Sequence, residues 1–252
     1  MNIRLNHIII GCYALGLVSI FSACKKGDKA SPSNSADTQI SFALSASGKL
    51  SPVGVNTNSG LTANSLAANA AAAGITWTSG IANVSAFKLE AKKNGTEIEI
   101  KSRNLTSIDL FALSPTTISA AIATGEYDEI EVKALFVKSS GSDIPLTLKG
   151  NYTSQSGTVT PIEFDFNDDA LIKVEAENVT VDGTTDIAAI TKLDLTRLIG
   201  NNAAAALDAA TRTNGTIVIS NASNTNIYNA VKANVELCGK WGGFEHHDKR
   251  DR

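Results

Sequence analysis

Asp165, Asn167, Asp168 and Asp169 bring hard-oxygen side chains together in a short stretch, the chemistry that Ca²⁺ selects. The spacing superficially matches an EF-hand loop, but Ala170 stands where such a loop needs Gly and Ala176 where it needs Glu. Asp and Asn also build ordinary turns between strands. The turn is the preferred reading, with Asp165, Asn167 and Asp169 kept as calcium candidates. Glu126, Asp128, Glu129 and Glu131 form a second carboxylate group. A glycosidase-type hydrolase needs two carboxylates about 5 to 9 Å apart across a cleft. Glu129 and Glu131 meet that distance on almost any strand, so the group reads as a solvated face. Cys238, His246, His247 and Asp248 are metal-ligand types without a paired spacing, and the Gly-rich stretch between them is not preorganised. They read as a structural thiol and a polar tail, and no metal ligand is assigned. Trp77, Trp241, Tyr127 and Tyr152 could stack on sugars, but aromatics are only 6% of the chain and core packing is favoured.

Histidine limits the catalytic options further. His7 lies in the stretch expected to be removed with a signal peptide, and the others, His246 and His247, lie in the C-terminal tail. A Ser-His-Asp or Cys-His mechanism would have to recruit that tail. The expectation is a protein that is not an enzyme, with no catalytic residue and no cofactor.

Cys24 carries a different chemistry. Arg4 gives a short basic start, and Ile8 to Phe21 is an apolar run too short to span a bilayer but suited to a signal peptide. It ends in Phe21-Ser22-Ala23-Cys24, small residues before a thiol. This resembles the lipobox of bacterial lipoproteins, with Phe21 in place of the more usual Leu. The resemblance implies cleavage before Cys24 and lipidation of its sulfur, two acyl chains being enough for stable anchoring. Cys12 leaves with the signal peptide, so Cys238 has no intramolecular disulfide partner. Net charge is -3, which supplies no basic field for nucleic acid. The sequons at Asn104, Asn151 and Asn178 are assigned no glycan, because the lipobox points to a bacterial envelope.

The expected organisation is a signal peptide over 1–23, a Ser-, Asn- and Pro-rich flexible tether over 24–37, a β-sandwich over 38–239, and a polar, disordered tail over 240–252. The first strand covers Gln39 to Ser45, and Asn56 to Ala73 reads as a loop with a helical turn. Phe87, Leu89 and Ala91 alternate with Lys88, Glu90 and Lys92. Asn94-Gly95 then supplies a type I′ turn, and Ile98 and Ile100 return the apolar face. That hairpin sets Lys92 against Glu97 but also Glu90 against Glu99, a repulsion that neighbouring lysines must offset.

Later strands keep one apolar face: Ile130, Val132, Ala134 and Phe136; Ile144, Leu146 and Leu148; Ile162, Phe164 and Phe166. Turn residues at Gly141-Ser142, Ser156-Gly157 and Asp168-Asp169 separate them. Ile172, Val174 and Ala176 give way to Val179 and Val181, a phase slip that predicts a bulge near Glu177-Asn178. Asn201 or Asn202 is the expected cap of an Ala-rich helix to Ala210, and Thr216 to Ser220 is a strand. Ile227, Tyr228, Val231, Val235 and Cys238 recur at helical spacing, with Thr225 or Asn226 as cap and Gly239 at C′. The predicted fold is mainly β: a single antiparallel β-sandwich with one or two short C-terminal helices.

The segments Ser107-Ile108-Asp109-Leu110, Gly125-Glu126-Tyr127 and Phe164-Asp165-Phe166, with the later strand Asp186 to Leu195, resemble the DUF forty-three eighty-two family of bacterial, Bacteroidetes-type lipoproteins. The likeness covers about half of the chain after Cys24. It implies an envelope lipoprotein with a sandwich of immunoglobulin-like or transthyretin-like type, and it implies no activity. Lys25-Lys26-Gly27-Asp28-Lys29 is mainly basic, so periplasmic and surface faces both stay open. The expected role is an interaction or structural module, an adhesive role included, held to the envelope by its lipid and expected at the outer membrane. Its partner would be an envelope protein or a glycan. The alternative is a glycan- or small-ligand-binding lipoprotein, with a metal-dependent hydrolase third.

Overall fold

The computed structural model of the protein describes residues 38–53, 73–101, 104–200, 203–239 and 243–248. Within the last stretch the side chain described is that of Phe244, and only the backbone of Thr185 is described. The expected signal peptide, Cys24, the tether, most of the Asn56 to Ala73 loop, the Asn201 and Asn202 caps and Trp241 lie outside the described residues.

The fold is mainly β, and its strands divide among three sheets. The first contains β1 (Thr38–Ser47), β7 (Thr117–Ile122), β12 (Thr185–Asp194) and β15 (Gly243–Asp248), in the order β15-β12-β1-β7. The second contains β2 (Leu50–Pro52), β3 (Gly74–Val84), β6 (Leu105–Asp109), β9 (Leu146–Thr153), β10 (Val159–Phe166), β13 (Arg212–Thr213) and β14 (Thr216–Ile219). Its order is β13-β14-β10-β9-β3, and both β2 and β6 pair with β3. The third contains β4 (Ala86–Lys93), β5 (Thr96–Lys101), β8 (Gly125–Phe136) and β11 (Ala170–Val181), in the order β11-β8-β4-β5.

Not every pairing is antiparallel, as the sequence suggested. β1 runs parallel to β12, and β10 parallel to β14. Alternation in sequence records which face a strand buries and carries no information on the direction of its neighbour. The predicted hairpin forms in its predicted register, Lys92 against Glu97 and Glu90 against Glu99. Asn94 and Gly95 take φ of 50° and 74°, the positive pair that a type I′ turn requires.

The phase slip is real, but it is not a one-sided bulge. Along the chain, buried positions pass from odd to even on β8 and from even to odd on β11, which runs antiparallel to it, with Tyr127 opposite Val179 and Val132 opposite Val174. Asn178 turns to φ 53°, and pairing resumes beyond it with no residue gained or lost on either strand. Two strands that change face together keep their apolar partners opposite one another.

The end of the chain also departs from expectation. The predicted helical run to Cys238 divides into α2 (Thr225–Val231) and α3 (Asn234–Cys238), after a shorter α1 (Ala204–Asp208). α2 buries Ile227, Tyr228 and Val231 and touches β14, whereas α3 buries Val235 and Cys238 and touches β11 and β12. One straight helix could not serve both. Asn224, not Thr225 or Asn226, precedes α2, and its amide bonds Thr211 and Val218 instead of the helix N–H groups. Ala203 stands at the start of α1, with no side-chain cap. The tail expected to be disordered contains β15, which pairs antiparallel with β12 from Asp186–His247 to Ile190–Gly243. β12 offers an open backbone edge there, and a polar segment can satisfy it as well as an apolar one.

One apolar core draws on all three sheets and the helices. Phe42 of β1 and Phe87 of β4 stack with ring centres 6.2 Å apart, joining the first and third sheets. Phe164 of β10 meets Tyr228 of α2 at 6.1 Å. Trp77 is buried, and its Nε1 donates to Ser51 Oγ, which in turn donates to the Leu195 carbonyl at 2.7 Å. That chain ties β3 and β2 to a 3₁₀ turn over Leu195–Arg197.

Candidate interaction surface

The third sheet carries charges in rows that cross its strands. Register sets Lys101, Lys88, Lys133 and Lys173 side by side on β5, β4, β8 and β11. The next row, two residues along each strand, is Glu99, Glu90, Glu131 and Glu175. Like charges about 5 Å apart on neighbouring strands should repel. They are reconciled across the rows instead. Lys88 Nζ lies 3.0 Å from Glu90 and 2.9 Å from Glu99; Lys133 bridges Glu90 and Glu131; Lys173 bridges Glu131 and Glu175. Lys133, then Lys88, hold the Glu90 carboxyl down at about 2. Glu131, then Glu175, raise the Lys173 ammonium above its ordinary value.

This network holds one of the four carboxylates singled out in the sequence, Glu131. Glu129 and Glu131 join Glu90, Glu97 and Lys92 around a shallow concavity of about 260 Å³, which Glu126 and Asp128 do not line. A carboxyl serving as general acid needs a raised pKa. The lysines drive Glu90 the other way, so its chemistry is that of a fixed charge.

The acidic turn after β10 is occupied by its own structure. Asn167 Oδ1 accepts from Ser139 N–H at 2.8 Å while its Nδ2 donates to the Ser139 carbonyl. Asp169 accepts from Lys138 N–H at 2.7 Å, and Asp168 accepts from Tyr228 Oη and Lys232 Nζ. Asp165 faces Thr147 on β9, and burial, with Glu163 nearby, raises its pKa. Each acid faces a different partner, and no three His, Cys, Asp or Glu side chains converge as a metal site among the described residues.

Trp77, Tyr127 and Tyr152 are all buried, and Tyr152 Oη donates to Asp208 at 2.8 Å. Cys238 is buried as a free thiol, and burial pushes its pKa up to about 12. His246 and His247 lie on β15, opposite Ile187 and Asp186.

The strand directions define two poles. The first described residue, Thr38, stands opposite Ile122, beside the Lys93–Thr124 contact and the short link from Val181 to Thr185. At the far pole lie the end of β1, the end of β8, the start of β11, the end of β12 and α3. Leu50, Leu113, Val137, Leu171 and Leu237 all map to this far pole, and they are five of the seven large apolar side chains left exposed among the described residues. Leu113 is fully exposed. Sequence patterning could not find this group, because its members lie far apart along the chain and only strand direction brings them to one end.

No protein-family model, curated protein or solved structure matches the chain. Among the described residues no helix is long and apolar enough to cross a membrane.

Proposed function

We propose that the protein is a lipid-anchored envelope module that binds a partner through the pole farthest from its N-terminal tether. The observation that carries this reading is the gathering of Leu50, Leu113, Val137, Leu171 and Leu237 at the end opposite Thr38. Val137 and Leu171 line one shallow concavity there with Glu236, and adjoining exposed apolar side chains mark interaction surfaces. A flexible tether through Cys24 would leave that end free to meet a partner. The resemblance to the DUF forty-three eighty-two lipoproteins gives the same address. The reading is non-enzymatic, and buried Trp77, Tyr127 and Tyr152 offer no stacking platform for a glycan. It takes the sheets as faces of one β-sandwich, supported by the shared core and the Phe42–Phe87 stack.

Two measurements test it. Cys24→Ser abolishes metabolic labelling with palmitate if Cys24 is the anchor; retained labelling removes the anchoring claim. Leu113→Asp combined with Leu171→Asp lowers binding of the purified protein to envelope preparations at least tenfold, whereas Val159→Asp does not. Equal binding by both variants would discard the far pole as the contact surface.

A further inference from the structure

β5 is the edge of the third sheet, and among the described residues it pairs with β4 alone. The type I′ turn fixes which groups face outward. Lys93 and Thr96 close the hairpin as a hydrogen-bonded pair, so Ile98 and Ile100 direct their backbone groups to β4. Glu97, Glu99 and Lys101 therefore present N–H and C=O to the open side. Their side chains share the outer face with Lys92, Glu90 and Lys88, while Ile98 and Ile100 stand on the other face. Ile98 is 38% exposed there, a large apolar residue at an uncovered edge.

The charges on this strand are unequally satisfied. Glu99 is held by Lys88 at 2.9 Å. Glu97 and Lys101 have no ion pair among the described residues, and Lys101 is the one lysine of its row without one.

We propose that β5 is a self-recognition edge: a second copy of this chain adds its own β5 antiparallel, with the two-fold axis at Glu99. Antiparallel pairing about that residue sets each unpaired Lys101 opposite the unpaired Glu97 of the other copy. The two Glu99 residues meet already neutralised by their own Lys88. Ile98 lies opposite Ile100 of the second copy, which covers the exposed side chain. The outward-facing residues become the hydrogen-bonded pairs, on the order of six backbone bonds in all. A register slid by one position on each strand would centre on Ile100 and leave Glu97 and Ile98 without these partners. The proposal does not depend on the far-pole reading, because β5 belongs to a different surface.

Cysteine cross-linking of the full chain in the bacterial envelope tests it. Opposed residues on the axis would have Cα atoms about 5.5 Å apart, within disulfide reach. Under copper-phenanthroline oxidation, Glu99→Cys should give a reducible dimer that wild type, Glu97→Cys alone and Lys101→Cys alone do not. Co-expressed Glu97→Cys and Lys101→Cys chains should cross-link to each other. In the Glu99→Cys background, Lys101→Glu should reduce the dimer at least tenfold, and Glu97→Lys added to it should restore it. Absence of the Glu99→Cys dimer, preferential cross-linking at Ile100→Cys, or indifference to the charge swap would each overturn the proposal. If Lys101→Glu fails to accumulate, the cysteine series decides alone.

Discussion

Lys88 and Lys133 stand directly opposite each other on β4 and β8, and Glu90 lies 3.0 Å from the first and 2.5 Å from the second. A like-charged pair is thus held together by the acid of the next row. Exposed ion pairs contribute little singly, but Glu90 serves two lysines at once and is only 19% exposed.

Glu90 should make stability depend on acid pH. Its folded pKa of about 2 lies below the ordinary 4.5, so ionised Glu90 favours the folded state. That contribution is fully present above about pH 4.5 and fades as pH falls towards about 2. Glu90→Gln is expected to cost about 1 kcal/mol at neutral pH. Denaturant unfolding across the acid range should show the difference from wild type shrinking; a constant difference would mean that the carboxylate charge is not what matters.

Phe164→Ala should cost about 3–5 kcal/mol, because the ring is completely buried and packs against Phe166 and Tyr228. Val159→Ala, at a side chain 60% exposed on the same strand, should stay within about 0.5 kcal/mol. Urea unfolding with unchanged slope checks both, and similar costs for the two would contradict the assigned core.

Asn167→Ala breaks both hydrogen bonds to Ser139 and should destabilise by about 1–3 kcal/mol. Added Ca²⁺ should leave the wild-type melting temperature where it is. A calcium-dependent rise that Asn167→Ala abolishes would make the turn a metal site after all.

Gly150→Ala should be costly, since a Cβ there would collide with the Thr76 carbonyl oxygen on β3. The nearest atoms are all β3 backbone, which cannot yield cheaply, and about 1–3 kcal/mol is expected. Gly157 has φ +81° and nothing within 4 Å, so Gly157→Asn should change stability little. Thermal melts of the two variants distinguish a steric glycine from a conformational one.

Much of the local structure is legible in the residues alone. The β4–β5 hairpin follows from Asn94-Gly95 and period-two alternation, down to the Glu90–Glu99 opposition and the lysine that offsets it. β8 and β10 follow from their apolar alternation in the same way. What escapes is what depends on distant neighbours. β7, Thr117-Ile118-Ser119-Ala120-Ala121-Ile122, has weak alternation and is a strand because β1 lies beside it. β15 is polar and forms on the edge of β12. The lysine and glutamate rows are invisible along the chain, since each row takes one residue from each of four strands. The acidic turn was visible as a turn, but its ties to Ser139, Tyr228 and Lys232 were not.

The parallel pairing of β1 with β12 also sets an order of events during synthesis. Ile40 pairs with Ile187, and Gln39 N–H donates to Asp186 across a separation of 147 residues. Local hairpins such as β4–β5 can close early, whereas a contact this distant must wait for most of the chain to emerge. Until then β1, with buried Ile40, Phe42 and Leu44, has β7 as its only neighbour in the sheet and keeps one edge bare. A chain halted before β12 would therefore hold an adhesive strand open, and its safe passage would rest on whatever escorts it until the last quarter arrives.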